Sequence, residues 1–320
     1  STSWVMDSAD FLASTNRGED CDLGERLVVI GGGSAAMDVA RTARRLGKAV
    51  TVLSLEPEEL LPAQRVEVDE AMEEGIEFVT AAMMNAVDSS KDGLTLKCVR
   101  IDFKQGEKRG QFTFDVIEGS EFDLAADAII PSIGQDADLD RWQEILASDG
   151  PVIQTDGNWQ TATPGIFAGG DLASMERFVT QAIGMGKHAA HAIARSLDPE
   201  YDGGKPFEGK QAPYDVINTA YHPEADRNVQ AHTDVAARLK NFDEVQQALS
   251  DEEASAEASR CFSCGTCIYC DNCYLYCPDM AISKLDRGYE VKTDYCKGCG
   301  LCVAECPTGS IAMYEDQGGA

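Results

Sequence analysis

The alternation of apolar and polar positions in the first eighty residues predicts strands that alternate with amphipathic helices. Apolar runs indicate strands at 26–31, 49–54 and 76–80. Helical spacing indicates helices at 34–46 and 62–74, where Pro62 suits the first turn. This order predicts a βαβαβ mononucleotide-binding unit around a parallel sheet, an α/β fold of the Rossmann type.

The remainder of the chain shows several other periodicities. Alternating β formers predict an antiparallel hairpin, 94–103 with 111–117, and then a buried strand at 127–132 that returns to the sheet. Shorter strands are expected at 152–154 and 166–168. Helices are expected within 1–24 and at 178–197, 241–249 and 251–259.

Composition narrows the range of partners. The chain has 320 residues and a formal net charge of −28. Because nucleic-acid binding needs Lys and Arg side chains for the phosphates, this charge excludes nucleic acid. The acidity is spread along the chain, which favours a general effect on solubility over a focused docking patch for a basic redox partner. No run of about 18 apolar residues occurs, so the sequence predicts no membrane span.

Ten of the twelve cysteines lie between Cys261 and Cys306, where one motif occurs twice. The two copies are Cys267-x2-Cys270-x2-Cys273-x3-Cys277-Pro278 and Cys296-x2-Cys299-x2-Cys302-x3-Cys306-Pro307. In two-cluster ferredoxins the first three cysteines of each copy hold one [4Fe–4S] cube, and the fourth ligates the other cube. One predicted cluster is therefore held by Cys267, Cys270, Cys273 and Cys306, and the other by Cys296, Cys299, Cys302 and Cys277.

Disulfides and paired zinc sites are the alternatives to these clusters. A disulfide framework is disfavoured beside a nucleotide-binding pattern. Zinc sites rarely use four evenly stepped cysteines, and no histidine lies in this region. Dense thiolates also indicate a reducing compartment, the cytoplasm. The sequence thus predicts a C-terminal α+β ferredoxin domain of the bacterial type.

A glycine-rich turn follows the first predicted strand and opens the first predicted helix. Gly31-Gly32-Gly33-Ser34-Ala35-Ala36 has the G-x-G-x-x-A spacing of a dinucleotide-binding turn. Gly31 permits the tight turn, Gly33 lets a pyrophosphate approach backbone N–H groups, and Ala36 lets the helix pack close to the strand. A simple tight turn is the alternative. The candidate residues are Gly31, Gly33, Ser34, Ala35, Ala36 and, after the strand at 127–132, Gly134.

The end of the second strand bears on which dinucleotide binds. An acidic side chain such as Glu56 accepts hydrogen bonds from a ribose 2′-hydroxyl and repels a 2′-phosphate. No Lys or Arg lies between Lys48 and Arg65. Glu56 lies 25 positions after Gly31, slightly beyond the usual distance of roughly 20, and a solvated loop is the alternative. The charge favours NAD(H) over NADP(H).

Residues 163–171, Thr-Pro-Gly-Ile-Phe-Ala-Gly-Gly-Asp, predict half of a flavin site. The two glycines let the backbone approach a phosphate or a ribityl chain, and the Asp can accept hydrogen bonds from ribityl hydroxyls. The helix that follows can direct its N-terminal dipole at a reduced isoalloxazine. A Gly-Gly turn without a ligand is the alternative. The candidate flavin-binding residues are Gly170, Asp171, Thr180, Gln181 and Ala182.

Together these motifs resemble those of the glutamate synthase small-subunit family. The similar runs are 11–12, 31–38 with Asp38, 43–47, 163–171 and 182–190. The resemblance implies a flavoprotein of the disulfide-reductase type, in which Gly-Gly-Asp carries FAD and the glycine-rich turn carries the nicotinamide nucleotide. With its ferredoxin domain the chain is similar to a branch that includes the NADH:acceptor flavoprotein of dissimilatory sulfite reductase and subunits of 2-oxoacid:ferredoxin oxidoreductases.

Two departures from that family change the expectations. Where NADP-using members carry a pair of arginines, this chain has Leu55 and Glu56, which favours NAD. The family's first domain, with its own glycine-rich turn for the FAD pyrophosphate, is absent from the 320 residues, so another chain or segment is expected to supply that half. The expected divisions are a connector at 1–24, an NAD-binding domain at 25–130, a returning segment of the FAD-binding domain at 131–200, a linker at 201–255 and the ferredoxin domain at 256–320.

Cys261 and Cys264 extend the cysteine series upstream. They are interpreted as ligands of a third cluster completed elsewhere, as thiols beside the two clusters, or as a register shift, which the x3-Cys-Pro ending disfavours. The four histidines show no ligand spacing, and no residue is predicted to act in covalent catalysis.

The sequence leads to two hypotheses of function. The first is an NAD(P)H:acceptor oxidoreductase that moves electrons between NADH and an external acceptor through FAD and two [4Fe–4S] clusters. The expected acceptors are a siroheme sulfite reductase, a 2-oxoacid oxidoreductase or ferredoxin. The second is a non-catalytic iron–sulfur relay subunit of a larger redox complex.

Overall fold

The computed structural model describes residues 4–91, 93–107, 111–139, 142, 146, 148–149, 152–203 and 212–314. The chain divides into two compact units. Unit 1 comprises Ser1–Gly204 and Thr233–Val245, and unit 2 comprises Lys205–His232 and Gln246–Ala320.

Unit 1 combines helices with two larger sheets and one short strand pair. Its helices are α1 (Ser8–Asn16), α2 (Ser34–Arg45), α3 (Arg65–Glu73), α4 (Val179–Leu197) and α5 (Val235–Arg238). Its strands are β1 (Arg26–Ile30), β2 (Ala49–Leu53), β3 (Glu77–Val79), β4 (Ala82–Ser90), β5 (Gly93–Gln105), β6 (Phe112–Val116), β7 (Phe122–Ala126), β8 (Ala128–Pro131), β9 (Ser148–Asp149) and β10 (Val152–Ile153). Short 3₁₀ turns occupy Glu58–Leu60 and Gly170–Leu172.

The first sheet is parallel, with the strand order β3-β2-β1-β8. Leu27 of β1 lies opposite Val50 of β2 on one side and Ala128 of β8 on the other. Alternate residues of β1 face two different cores, since Leu27 and Val29 pack with α1, α2 and α3, whereas Val28 packs against the second sheet. The predicted βαβαβ unit with its returning strand is confirmed.

Helix α3 begins three residues after the predicted start at Pro62. The reason is a capping box, in which the Glu67 carboxylate accepts a hydrogen bond of 3.2 Å from the backbone N–H of Gln64. Pro62 stands instead in the loop between the 3₁₀ turn Glu58–Leu60 and this cap. The predicted start was therefore wrong, although the helix itself is present.

The second sheet is antiparallel, with the order β4-β5-β6, and β7 also pairs with β5. The predicted hairpin is confirmed as β5 and β6, with Ile101 opposite Val116; residues 108–110 of its predicted turn lie outside the described residues. Strands β4 and β7 were not predicted. A bulge between Met84 and Ala86 interrupts the alternation of β4, which hides a strand from a period-two pattern.

Two other predicted elements differ in the structure. In place of a strand at 166–168, Phe167 forms an isolated bridge with Gln160. In place of a helix at 241–249, the side chain of Asn241 accepts a hydrogen bond of 3.1 Å from the N–H of Asp243. Such a local side-chain bond competes with helical hydrogen bonding. The short strand β10 and helix α4 lie where the pattern predicts them.

A buried carboxylate joins α2, α3 and the segment Thr233–Val245 within unit 1. The side chain of Glu74 is 0% exposed, and its Oε1 lies 2.7 Å from Arg41 Nη2, 3.3 Å from Arg45 Nη2 and 3.6 Å from Arg238 Nη1. Arg238 is also buried and pairs with Glu73 at 2.8 Å. Burial by itself raises the pKa of Glu74, but the Arg41 and Arg45 guanidiniums outweigh it and lower the pKa below its usual range.

Unit 2 is built around the two cysteine loops. Its elements are α6 (Asp251–Ser259), α7 (Asn272–Leu275), α8 (Leu301–Ala304), β11 (Ile282–Lys284) and β12 (Tyr289–Val291). Strands β11 and β12 pair antiparallel, and each cysteine loop contains one of the short helices α7 and α8. Residues 212–232 hold the second loop, because Asn218 Nδ2 donates to Ala304 O at 2.7 Å and His222 Nε2 lies 3.0 Å from Pro307 O. The predicted helix α6 is confirmed.

Candidate functional site

The glycine-rich turn lies at the carboxyl end of β1, between β2 and β8. Gly31 has φ +134°, and a Cβ at this position would lie 2.3 Å from the backbone oxygen of Ser132. Only glycine fits, because the conformation and the close approach both exclude a side chain. The carboxyl edge of a parallel sheet at such a position is where dinucleotides bind in doubly wound folds.

The space around Gly33 is open, in contrast to the close contact at Gly31. Gly33 is the N-cap of α2 with φ −86°, makes no side-chain cap hydrogen bond, and has no atom within 4 Å of the position that a Cβ would occupy. Open space therefore lies in front of the first turn of a 12-residue helix, where backbone N–H groups and the helix dipole favour an anion. Ser34 and Ala35 form that first turn, and the fully buried Ala36 faces the sheet.

Glu56 lies directly beside this turn. The hydroxyl of Ser54, at the end of β2, donates a hydrogen bond of 2.5 Å to Glu56 Oε2. A Cβ on Gly32 would lie 2.7 Å from Ser54 Oγ and 3.2 Å from Glu56 Oε2. The side chain is half-buried, so the carboxylate is held at the turn and does not extend freely into solvent.

The two remaining nucleotide-site candidates lie near the same edge. Asp38 is exposed on α2. Gly134 follows β8 with φ +95° and open space around it. The loop after β8 also approaches the segment before α4, since Arg177 Nη2 lies 3.9 Å from Asp136 Oδ1.

The Gly-Gly-Asp segment packs against α4. A Cβ on Gly169 would lie 3.1 Å from Met185 Cβ, and Gly170, with φ +66°, comes within 3.4 Å of Ala182 Cβ in the same test. The two glycines therefore serve close packing of this turn on α4, a role that the sequence interpretation did not include. Asp171 is exposed on the outer side of the turn.

Helix α4 begins at Val179 without a side-chain cap at Phe178. Its first turn leaves backbone N–H groups free of such a bond, as the predicted role toward a flavin requires. Thr180 Oγ1 donates to Gln181 Oε1 at 2.8 Å. The structure thus brings four of the candidate residues near one another, Gly170, Thr180, Gln181 and Ala182. These residues fit the isoalloxazine and ribityl end of FAD. A second glycine-rich turn, which the FAD pyrophosphate would need, does not occur among residues 4–91, 93–107, 111–139, 152–203 and 212–314.

Cysteines from both repeats line one cavity of about 240 Å³ in unit 2. They are Cys267, Cys270, Cys273 and Cys306. Burial, and after it the neighbouring thiols of the other three, raise the pKa of Cys273 to about 11. The structure thus brings together the four residues that the spacing assigns to one cluster.

The other four cysteines line a second cavity, of about 50 Å³. They are Cys277, Cys296, Cys299 and Cys302. Burial, followed by Cys296 and Cys299, raises the pKa of Cys302. This is the second predicted set, with Cys277 contributed by the first repeat.

The donor groups around both cavities fit [4Fe–4S] clusters. Four thiols converge on each cavity, the ligand set of a cube. Backbone N–H groups of Ala281 and Ser310 donate to the sulfurs of Cys277 and Cys306 at 3.2 and 3.3 Å. All twelve cysteines lie in the described part of the chain and are free thiols. Across the described residues, no group of three or more His, Cys, Asp or Glu side chains is placed to hold a single metal ion.

Cys261 and Cys264 line neither of these two cavities. Both are exposed, on a turn where Gly265 N–H donates to Thr308 O at 2.7 Å. Cys98 is buried in the core between the sheets, where burial raises its pKa, as expected of a structural cysteine.

Sequence reasoning missed three serines at these sites. Ser54 holds Glu56, and Ser132 Oγ is buried beside Gly31 with no hydrogen-bond partner in the described structure. Ser310 Oγ lies 3.3 Å from Cys306 Sγ. Burial raises the pKa of Cys306, but hydrogen bonds from Ser310 and Thr308 outweigh it and lower the pKa. In the sequence only the positions of two of these serines could have indicated their roles, because Ser54 lies two residues before Glu56 and Ser310 lies four residues after Cys306.

Two regions of the chain match models of known protein families. Residues 3–193 match the model of the pyridine nucleotide-disulphide oxidoreductases, and residues 266–310 match that of the 4Fe-4S dicluster domain. Among the helices of the described residues, none combines the length and the apolar composition that a membrane span requires.

Three curated relatives show the range of related proteins. The chain is 29% identical over 296 residues to the NADPH-Fe(3+) oxidoreductase subunit beta of Geobacter sulfurreducens, which covers 80% of this chain and 43% of that protein. It is 34% identical over 189 residues to the glutamate synthase [NADPH] small chain of Escherichia coli, covering 55% and 39%.

The third relative, the NAD-dependent dihydropyrimidine dehydrogenase subunit PreT of Escherichia coli, is 34% identical over 193 residues, covering 60% and 42%. The resemblance drawn from the motifs is therefore confirmed. The chain spans less than half the length of each of these relatives.

Proposed function

Since the chain belongs to the pyridine nucleotide-disulphide oxidoreductase family, we propose that it moves electrons between NADH and an external acceptor through FAD and two [4Fe–4S] clusters. The observation that carries this proposal is the pairing, on one chain, of an open glycine turn before α2 with two cavities that are each lined by four thiols. Dense thiols of this kind also support a cytoplasmic location.

The choice of NADH rests on Glu56. Its carboxylate is held beside the glycine turn by Ser54, where it can accept hydrogen bonds from a ribose 2′-hydroxyl and repel a 2′-phosphate. The names of the relatives include both NADPH and NAD. Family membership therefore does not decide between NADH and NADPH, and the proposal rests on the charge of Glu56.

In this proposal the dinucleotide pyrophosphate binds in front of α2, at Gly31, Gly33, Ser34, Ala35 and Ala36, with Asp38, Glu56 and Gly134 around it. The turn at Gly170 and Asp171 and the start of α4, with Thr180, Gln181 and Ala182, hold the flavin end of FAD. Bound FAD would supply the exchange between hydride transfer and single-electron transfer. The chain's own residues position the two groups and set their electrostatic surroundings.

A second polypeptide segment is proposed to complete the FAD site. Helix α4 carries an exposed apolar row at helical spacing along one face, formed by Val179, Ile183, Ala190, Ile193 and Leu197. Val179 is 77% exposed, Ile183 67% and Leu197 81%. An apolar row of this kind beside the flavin half-site supports packing against the domain that binds the FAD pyrophosphate.

The two sets of four cysteines are proposed as the cluster ligands. Cys267, Cys270, Cys273 and Cys306 would hold one cube and Cys277, Cys296, Cys299 and Cys302 the other. The names of two relatives describe subunits, which supports a partner protein as the acceptor. The acceptors proposed from the family resemblance are a siroheme sulfite reductase, a 2-oxoacid oxidoreductase or ferredoxin.

A second candidate is an iron–sulfur relay subunit without its own flavin chemistry, and the observation that favours it is that the described residues contain no second glycine-rich turn for the FAD pyrophosphate. A dye-reduction assay separates the two. The protein is reconstituted with iron, sulfide and FAD. NADH-dependent reduction of a dye is then measured under two conditions, with this chain alone and with a separate polypeptide that carries the domain for the FAD pyrophosphate.

NADH-dependent dye reduction supports the oxidoreductase. A protein that is inactive with NADH under both conditions, while its clusters accept electrons from dithionite, supports the relay. A protein that binds no clusters contradicts both proposals.

A further inference from the structure

The two cysteine repeats place different side chains beside their two Cys-Pro ends. The residues two and four positions after the last cysteine are Asp279 and Ala281 in the first repeat. In the second repeat they are Thr308 and Ser310. All four line the cavity that contains the cysteine before them. Corresponding positions of the two loops thus provide a direct comparison.

The sulfurs of Cys277 and Cys306 accept equivalent hydrogen bonds from the backbone. Ala281 N–H donates to Cys277 Sγ at 3.2 Å, and Ser310 N–H donates to Cys306 Sγ at 3.3 Å. The side-chain contacts of the two cysteines differ. Ser310 Oγ lies 3.3 Å and Thr308 Oγ1 3.7 Å from Cys306 Sγ, whereas Ala281 has no hydroxyl and Asp279 pairs with Lys297 at 2.9 Å.

This difference changes the electrostatics of one sulfur. Reduction adds one electron to a cube, and the extra negative charge is shared with the cysteine sulfurs. A hydroxyl that donates to a sulfur binds more strongly as that sulfur becomes more negative. Hydrogen bonds to the sulfurs are among the factors that set cluster potentials, so the hydroxyl stabilises the reduced state more than the oxidised state.

We propose that Ser310 is a potential-tuning residue, which raises the reduction potential of the cluster ligated by Cys306 and makes the two clusters electrochemically distinct. The inference rests on the proposed clusters of this chain. It adds a specific role for a side chain that is not itself a ligand. Thr308, at the longer distance of 3.7 Å, contributes less.

The test is a potentiometric titration of the reconstituted protein, followed by electron paramagnetic resonance of the reduced clusters. Ser310→Ala should make one of the two reduction steps harder, by roughly tenfold in its equilibrium constant, which is about 59 mV for a one-electron couple. The other step should stay in place. Ala281→Ser, which adds a hydroxyl to the corresponding position of the first loop, should make the other step easier.

Iron content decides how the results are interpreted. Fewer than two clusters in the unsubstituted protein overturns the proposed function and this inference with it. Two clusters with unchanged potentials in Ser310→Ala overturns the inference alone. If Ser310→Ala does not retain its iron, Ala281→Ser decides, because a shift of the other step supports the hydroxyl effect and no shift contradicts it.

Discussion

The hydroxyl of Ser54 donates a hydrogen bond of 2.5 Å to the carboxylate of Glu56, and both side chains lie against Gly32 of the glycine turn. Ser54 is 1% exposed, so the contact is protected from water. Under the proposed function the pair would place one negative charge where the adenosine ribose of the dinucleotide binds, so the choice of cofactor would depend on this carboxylate.

Glu56→Gln removes that charge. Hydrogen bonds to charged groups contribute about 1.5–3 kcal/mol, so we expect the dissociation constant for NADH to rise at least tenfold while that for NADPH stays level or falls. Ser54→Ala should change the NADH constant in the same direction by less. Calorimetric titration with each nucleotide measures both effects.

Glu58→Gln is the matched control, because Glu58 is exposed in the 3₁₀ turn after β2 and should leave the ratio of the two constants unchanged. Tighter binding of NADPH than NADH by the unsubstituted protein would show that Glu56 does not select the cofactor.

Substitutions at Gly31 and Gly33 are expected to affect different properties, the stability of the fold at Gly31 and nucleotide binding at Gly33. At Gly31 a Cβ would meet Ser132 O at 2.3 Å with φ at +134°, and a residue forced into such a conformation costs about 1–3 kcal/mol before the clash is counted. We therefore expect Gly31→Ala to lower the melting temperature by several degrees. At Gly33 the conformation suits any residue and the space is open.

Gly33→Ala should accordingly keep the melting temperature and weaken NADH binding at least tenfold, since its methyl group stands where the pyrophosphate approaches the backbone. Unchanged NADH affinity in Gly33→Ala would remove this turn from the nucleotide site. Melting curves and binding constants of the two variants, measured side by side, give the comparison.

The parts that sequence reasoning predicted are those set by local pattern. The apolar runs of β1 and β2 and the glycines between β1 and α2 occur within a few residues of one another, and the grouping of the eight cysteines follows from their spacing. Strand β4 was missed because it is defined by its pairing with β5 and contains a bulge at Met84. The packing of Gly169 on Met185 likewise joins residues whose contact no local pattern shows.

Cys261 and Cys264 can be tested against the two-cluster arrangement. Neither lines either of the two cavities that are each lined by four cysteines, so Cys261→Ser and Cys264→Ser should each keep about eight irons per chain, the content of two cubes. Cys273→Ser, which alters a buried member of the first set, should lose about four or more. Iron and sulfide analysis of the reconstituted proteins measures this. About twelve irons in the unsubstituted protein, with loss in Cys261→Ser, would establish a third cluster instead.

Glu74 gives unit 1 a stability that depends on pH. Its carboxylate is fully buried among Arg41, Arg45 and Arg238, and removing one partner of a buried ion pair costs about 3–5 kcal/mol. We expect Glu74→Gln to lower the free energy of unfolding of unit 1 by about that amount at pH 7. Asp69→Asn on α3 is the control, because Asp69 and its partner Arg65 are 49% and 56% exposed and exposed pairs contribute about 0–1 kcal/mol.

The arginines lower the pKa of Glu74 in the folded state, so the unfolded state binds the proton more readily. The stabilisation is therefore complete above the ordinary glutamate pKa of about 4.3. It is lost as the pH falls from there through the lowered folded-state pKa. The difference in stability between the unsubstituted protein and Glu74→Gln should thus shrink in acid, while the difference from Asp69→Asn stays small throughout. Hydrogen exchange of peptides from α2 and α3 at several pH values measures this, and a difference between the unsubstituted protein and Glu74→Gln that does not shrink as the pH falls below about 4.3 would contradict a lowered pKa.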